Sequence, residues 1–271
     1  MCRDLKGYTV LITGGSSGLG LEMAGALLSH GATVVIAARA GERLENALRE
    51  LRRRGDAHGV AADVRDEASV TAAAEWFSAR FDRLDMLVSN AGVGGNTPGL
   101  EGLPADHRFY DIPVSAVKTI LDTNLLGFFL VARSFVPIMA RQRRGSLVYV
   151  STSDRTITGR GQLPYGPSKA GGEAMAAIMA EELRDLGITV NVVCPGGFTD
   201  TNMAPAGAKE RFLRNGLPIL PPTVLNEVIL YLASPEAAGL TGEKLVGREF
   251  WEWLRRRSGA EGTPAGAPQD Q

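Results

Sequence analysis

Residues 9–20 read TVLITGGSSGLG, a short apolar, β-branched run that breaks into small polar residues and glycines at 14, 18 and 20. Residues of the first type suit a strand buried on both faces. The stretch after Gly20, LEMAGALLSH, returns to helical periodicity. A strand that enters a helix through glycines brings backbone N–H groups to the helix N-terminus, where an anion such as a pyrophosphate is stabilised. The spacing GxxxGxG alone also fits a tight turn without a ligand. Its position after a strand and before a helix is the context that dinucleotide binding requires.

The same alternation continues outward from this turn. Apolar runs at 9–12, 33–37, 58–61, 86–89, 146–151, 189–194 and 244–246 are expected as strands, and helices are expected at 19–30, 43–54, 67–81, 115–141, 168–186 and 224–233. Strands alternating with longer amphipathic stretches predict an α/β fold: a single-domain, Rossmann-type, doubly wound parallel sheet of about seven strands with helices on both faces. The domain is expected to occupy residues 1–257, with 258–271 a disordered tail of Gly, Pro, Ala, Gln and Asp. Two long, Gly- and Pro-rich intervals, 94–113 and 195–222, interrupt the rhythm and are candidate binding loops, with 202–220 a candidate lid.

Composition narrows the function. The chain has 271 residues and a formal net charge of -1, so no global charge favours nucleic acid or an anionic membrane. The runs Arg52–Arg54 and Arg255–Arg257 are short and read as solvated helix ends. Two cysteines, Cys2 and Cys194, support neither a disulfide framework nor a metal cluster, so no metal is expected. The charged start carries no secretory pattern, and no apolar run is read as reaching the roughly 18 residues that span a bilayer. A cytoplasmic protein is expected.

The end of the second strand bears on the cofactor. An acidic residue there bonds the ribose 2′-hydroxyl of NAD, whereas arginine accommodates the 2′-phosphate of NADP. Here the strand ends Ala37-Ala38-Arg39. NADP(H) is the expected cofactor.

Further motifs follow in order: Asp63-Val64 after the third strand, Asn90-Ala91-Gly92 after the fourth, Asn124 in a long helix, Tyr165-Gly166-Pro167-Ser168-Lys169, and Pro195-Gly196 after the sixth strand. Together with the glycine turn they resemble the short-chain dehydrogenase/reductase family, in its 3-oxoacyl-reductase-like subgroup, over residues 5–247. The resemblance implies that Gly14, Ser16, Ser17, Gly18, Leu19 and Gly20 line the pyrophosphate and ribose, Asp63 and Val64 the adenine, and Asn90, Ala91 and Gly92 the nicotinamide ribose. Tyr165 is implied as acid/base, Lys169 as the ribose-binding cation, and Asn124 as the holder of a relay water. With Pro195 and Gly196, Phe198 takes the nicotinamide-packing place, although that loop is one residue longer than usual. The family also implies a homodimer or homotetramer through the helices around Asn124 and Tyr165. The unusual ending 247–253, with Trp251 and Trp253 capping the core or an interface, sits awkwardly with the usual tetramer.

One departure concerns the catalytic hydroxyl. The family serine lies thirteen residues before the tyrosine, and that position is Thr152, flanked by Ser151 and Ser153. Alternate strand residues face opposite ways, so Thr152 in the site turns both serines away, while a local shift would bring one of them in. A threonine hydroxyl makes the same hydrogen bonds from a stiffer, bulkier side chain. Tyrosine ionises near ~10, so neutral-pH base chemistry needs a more acidic phenol, a role expected of the neighbouring ammonium and an oxidised nicotinamide.

The expected reaction moves a hydride between the nicotinamide and a carbonyl or secondary alcohol carbon of a small molecule. Asp154 and Arg155 near the site, and Lys209, Arg211 and Arg214 on the candidate lid, either recognise a polar or anionic substrate or, for the first group, pair with each other. The alternatives are a cofactor-retaining epimerase or isomerase, and a non-catalytic dinucleotide-binding scaffold. The cofactor reading predicts that Arg39→Asp weakens NADPH binding strongly. An unchanged dissociation constant in a fluorescence titration would contradict it.

Overall fold

The computed structural model describes residues 4–101, 103, 107–201, 203, 207–216 and 218–259. Seven strands form one sheet: β1 Thr9–Thr13, β2 Thr33–Ala38, β3 Ala57–Ala61, β4 Met86–Ser89, β5 Gly145–Val150, β6 Ile188–Cys194 and β7 Lys244–Val246. All pairings are parallel, in the order β3-β2-β1-β4-β5-β6-β7. The helices are α1 Gly18–Ser29, α2 Glu42–Leu51, α3 Glu67–Ser78, α4 Val114–Leu121, α5 Gly127–Gln142, α6 Asp154–Ile157, α7 Tyr165–Glu182, α8 Ala208–Arg214, α9 Asn226–Leu232 and α10 Phe250–Ser258.

Strand side chains alternate between two cores. Val10, Ile12, Val34, Ile36, Met86, Val88, Val148 and Val193 enter one, with α1, α2, α9 and α10. Leu11, Val35, Leu87, Leu147, Tyr149 and Val192 enter the other, with α3, α5 and α7. Each strand is therefore covered on both sides, which is why its sequence is apolar without interruption. Strand order reverses between β1 and β4, and crevices at the C-terminal ends of such strands are where α/β sheets hold ligands.

Several expectations need correction. The helix read as continuous over 115–141 is α4 and α5 joined by a π-helical turn, Asp122–Leu126. The whole run Val114–Gln142 is long and apolar enough to cross a membrane, against the reading that no stretch reaches that length. Half of its apolar window is buried in the protein, with Phe128, Val131, Phe135 and Met139 in the second core. The helix α7 starts at Tyr165, not near Pro167, because a proline in the first turn lacks only an N–H that has no helical partner there. The ending forms α10 as far as Ser258, the residue at which the tail is expected to start, and 260–271 lie outside the described residues. Phe250 is buried and stacks with Trp253, which meets Tyr231 edge-on, so this aromatic cluster caps the first core while Trp251 stays half exposed. Arg255, Arg256 and Arg257 occupy the last turn of α10, as a solvated helix end should.

The approach of α7 to β5 sets the site. A Cβ on Gly172 would lie 2.2 Å from the Tyr149 hydroxyl, and Tyr149 is held by stacking on Phe128 at 4.4 Å. Gly→Ala in a helix interior ordinarily stabilises by about 0.5–1 kcal/mol. Gly172→Ala is expected to destabilise instead, by about 1–3 kcal/mol, because the neighbouring ring cannot withdraw. Urea unfolding decides this, and a stabilised variant would show that the helix has room to move.

Candidate active site

The glycine turn after β1 is shaped by close contacts. Gly14 and Gly18 adopt left-handed φ values of 67° and 55°. A Cβ on Gly14 would meet the Ala91 Cα at 2.8 Å, and one on Gly20 would meet the Asn90 side chain at 2.5 Å. The turn is thus pressed against the loop after β4. Ser17, the residue before α1, caps no N–H of that helix with its side chain, and the first turn of α1 contains no acidic residue. Those free N–H groups suit an anionic ligand, consistent with Gly14, Ser16, Ser17, Gly18 and Leu19 as a phosphate cradle.

Thr13 and Asn90 staple the two loops together. The Thr13 hydroxyl accepts from the N–H groups of Asn90 and Ala91, each at 3.1 Å. The Asn90 amide donates to the carbonyls of Thr13 and Gly14 at 3.0 and 3.1 Å. Thr13 received no role from the sequence, although it sits inside the stretch that decides the fold. A Cβ on Gly92 would come 3.2 Å from Asn124 Oδ1 and 3.5 Å from Lys169 Nζ, so the chain crosses closely above these groups and a larger residue would press on Asn124.

At the ends of β2 and β3, Arg39 is exposed and Asp63 is gripped by Arg65, at 3.0 and 3.2 Å through Nε and 2.6 Å through the terminal nitrogen. These Arg65 hydrogen bonds, with a smaller pull from the Arg39 charge, hold the Asp63 carboxyl below the usual range. Val64 is buried and touches the start of α5, since a Cβ on Gly127 would lie 3.0 Å from its methyl.

Asn124 lies in the π-helical turn and is almost fully buried. Such turns recur at functional sites because the extra residue redirects side chains. Its amide donates to the Val93 carbonyl and the Ser168 hydroxyl, both at 3.0 Å, and its oxygen accepts from Val93 N–H at 2.8 Å. The Asn124 side chain is therefore committed to protein groups. Its main-chain carbonyl accepts from the Tyr149 hydroxyl at 3.3 Å. Ser168 completes the connection by donating to the Tyr165 carbonyl at 2.7 Å.

Tyr165 and Lys169 stand one turn apart on one face of α7. The Thr152 hydroxyl is the side chain that acts on the Tyr165 phenol, favouring its ionised form. Ser151 turns the other way, to Glu173, and Ser153 pairs with Thr156 at 3.0 Å. Of the three neighbouring hydroxyls, the structure brings Thr152 to the tyrosine. Lys169 is 3% exposed, donates to the Val150 carbonyl at 2.8 Å and lies 5.0 Å from the Tyr149 ring centroid and 5.9 Å from that of Tyr165.

The electrostatics depart from expectation. Burial pushes the Tyr165 phenol up to about 12, and the Thr152 hydroxyl only partly offsets this. Burial also pushes Lys169 down to about 8, against the opposing pull of Glu173. The protein groups by themselves therefore keep the phenol protonated at neutral pH; the expected acidification calls also on an oxidised nicotinamide.

The loop after β6 closes over this group. Gly196, at φ 89°, has no room for a Cβ beside Val246 and Arg248, and the Pro195 carbonyl accepts from Arg248 N–H at 3.1 Å. Thr201 reaches Gly18, and Met203 reaches Gly94 beside Tyr165. Phe198 stacks on Phe212 of α8 at 4.3 Å. Within the candidate lid, Lys209 pairs with Asp200, Arg214 is exposed, and the Arg211 side chain lies outside the described residues. Asp154 pairs with Lys244 of β7 at 2.5 Å rather than with Arg155, which is exposed, so the two do not form the pair expected as an alternative. Cys194 is buried, and among the described residues no group of His, Cys, Asp or Glu could hold a metal.

The chain is similar to known proteins in sequence and fold. The family model for short chain dehydrogenase matches residues 8–211. A 3-oxoacyl-[acyl-carrier-protein] reductase of Aquifex aeolicus is 32% identical over 88% of this chain and 95% of its own. The (21S)-21-acetoxyl-apo-melianone synthase of Melia azedarach is 29% identical over 90% of this chain and 89% of its own. A crystal structure of actinorhodin polyketide ketoreductase with NADPH superposes with a TM-score of 0.78 at 28% identity, covering 90% of this chain and 97% of that one. With a parallel seven-stranded sheet, a glycine turn at its switch point and a tyrosine and lysine one turn apart, the chain belongs to the short-chain dehydrogenase/reductase family of oxidoreductases.

Proposed function

We propose that the protein is an NADP(H)-dependent reductase of small-molecule carbonyl compounds, with Tyr165 as the proton donor. The observation that carries this reading is the buried Lys169 one helical turn from Tyr165, 5.9 Å from its ring centroid, with the Thr152 hydroxyl acting on the same phenol at the C-terminal edge of the sheet. Gly14, Ser16, Ser17, Gly18, Leu19 and Gly20 would hold the pyrophosphate side of the dinucleotide, Arg39 the 2′-phosphate, Asp63 and Val64 the adenine side, and Asn90, Ala91, Gly92, Lys169, Pro195, Gly196 and Phe198 the nicotinamide side. When bound, the dinucleotide supplies the hydride.

The chain supplies the proton and the geometry. A carbonyl oxygen that accepts from Thr152 and Tyr165 is polarised in the ground state and supported as negative charge develops. A phenol at about 12 is protonated at neutral pH, and a developing alkoxide is much the stronger base, so proton transfer from Tyr165 runs downhill. This favours reduction over oxidation. Lys169, tethered to Val150, stabilises the phenolate left behind, and Asn124 and Ser168 fix the start of α7 that carries both residues. The names of the relatives support a ketone substrate, and the two named reductases support the 3-oxoacyl or polyketide class ahead of others. Leu126, Phe129 and Ile178, exposed on α5, α7 and the π-helical turn, support assembly into a homodimer or homotetramer.

Nicotinamide absorbance with NADPH and a panel of 3-oxoacyl thioesters, cyclic ketones and simple ketones tests the assignment. Turnover of at least one class is expected, with Tyr165→Phe and Thr152→Val each losing about 10²-fold or more. Absence of turnover across the panel, or a fully active Tyr165→Phe, would contradict it. A second outcome concerns pH. Lys169 is the group with the value pushed down to about 8, whereas Tyr165 stays protonated to about 12. Reductive kcat/KM is therefore expected to hold below neutrality and to fall as pH rises through about 8, and a profile flat to pH 10 would remove Lys169 from that role.

A further inference from the structure

A second polar cluster lies directly behind the site and joins four elements. The Ser151 hydroxyl, one residue past β5, donates to the Glu173 carboxylate on α7. Lys244 of β7 reaches both carboxylate oxygens of Glu173, at 2.8 and 3.0 Å, and Asp154 of α6 at 2.5 Å. One turn earlier on α7, Lys169 donates to the carbonyl of Val150, the residue before Ser151. Two successive residues of the β5 segment are thus gripped by two successive turns of one helix. Residues four apart lie on one helix face, so Glu173 and Lys169 share one face of α7.

We propose that Glu173 is a positioning residue of the active site: tethered by Ser151 and Lys244, its carboxylate places a balancing negative charge on the face of α7 that carries Lys169 and Tyr165. The inference rests on the role given above to Lys169.

The charges around Lys169 make the consequence definite. Burial alone drives its value down, and Glu173 is the group that opposes this. The other titratable neighbours on the packed elements are Tyr149 of β5, Tyr165 of α7, Cys194 of β6, Asp154 of α6 and Lys244 of β7. The phenols and the thiol are pushed upward by burial and stay neutral at pH 7. The charged neighbours are therefore Glu173, Lys244 and Asp154, and the latter two also pair with each other. Without the Glu173 carboxylate, the Lys244 ammonium would keep only Asp154 to balance it, and Lys169, stripped of its own opposing charge, would shift toward the neutral amine. Without Lys244, Glu173 would act on Lys169 undivided.

The chain has five lysines, so the Lys169 titration can be followed by ¹³C NMR of lysine-labelled full-length protein, assigned by Lys169→Arg, without cofactor or turnover. In Glu173→Gln the Lys169 midpoint is expected to fall by about one pH unit, and in Lys244→Met to rise by a few tenths or more. A merely structural role gives a different pattern: loosened packing hydrates the ammonium and raises the midpoint in both variants. An unchanged or raised midpoint in Glu173→Gln, or in its place an unchanged or lowered one in Lys244→Met, would overturn the proposal. In the NADPH assay the alkaline limb of kcat/KM should move with the midpoint. Absence of reductase activity in the parent protein would defeat the catalytic reading, while the NMR titration would still decide whether Glu173 controls Lys169.

Discussion

A lysine ammonium almost out of reach of water is the constraint around which this active site is organised. An unpaired buried charge costs several kcal/mol, so its surroundings must compensate. Lys169 finds a main-chain carbonyl at 2.8 Å, two aromatic rings and a carboxylate one turn along its helix. Each partner comes from a different part of the fold or a different turn of α7. The Val150 carbonyl depends on where β5 ends, the Tyr149 ring on its stack with Phe128, and the carboxylate on a salt bridge to β7. Small residues make this density possible, because Gly172 admits Tyr149 and Gly92 admits Lys169 and Asn124.

The same packing explains the division of labour between the two titrating groups. Burial penalises whichever form is charged, so it raises a phenol and lowers an ammonium. Tyr165 is left a proton reservoir and Lys169 a cation close to its limit, an arrangement suited to delivering a proton to an oxygen that gains charge. The knot of Val93, Asn124 and Ser168 then fixes the first turn of α7 relative to the loop after β4. The helix start that carries Tyr165 and Lys169 and the glycine turn are thereby held in one frame.

How much of this was legible depended on whether the controlling interaction was local. Uninterrupted apolar runs such as Val34-Val35-Ile36 carry the doubly covered sheet in their composition, and the glycine turn carries its own conformational demand. Strand alternation put Thr152 opposite Ser151, and the structure turns the two hydroxyls to different partners. The π-helical turn was not legible, because residues 122–126 keep a helical pattern and the shift to i+5 bonding is set by what Asn124 must reach. α10 was missed because its aromatic residues gain meaning only against Tyr231. The pairing of Asp154 with Lys244 spans 90 residues, and the direction of the Tyr165 shift follows from tertiary burial that no motif encodes.

The central claim is that a buried ammonium and a protonated phenol share one helix face beside the bound nicotinamide. A crystal structure of the protein with NADPH tests it most directly. The account predicts the nicotinamide ring in the recess between Gly92, Thr152 and Tyr165, with its C4 edge toward the tyrosine hydroxyl and Lys169 still enclosed. A ring bound elsewhere, or a Tyr165 side chain turned into bulk solvent, would contradict it.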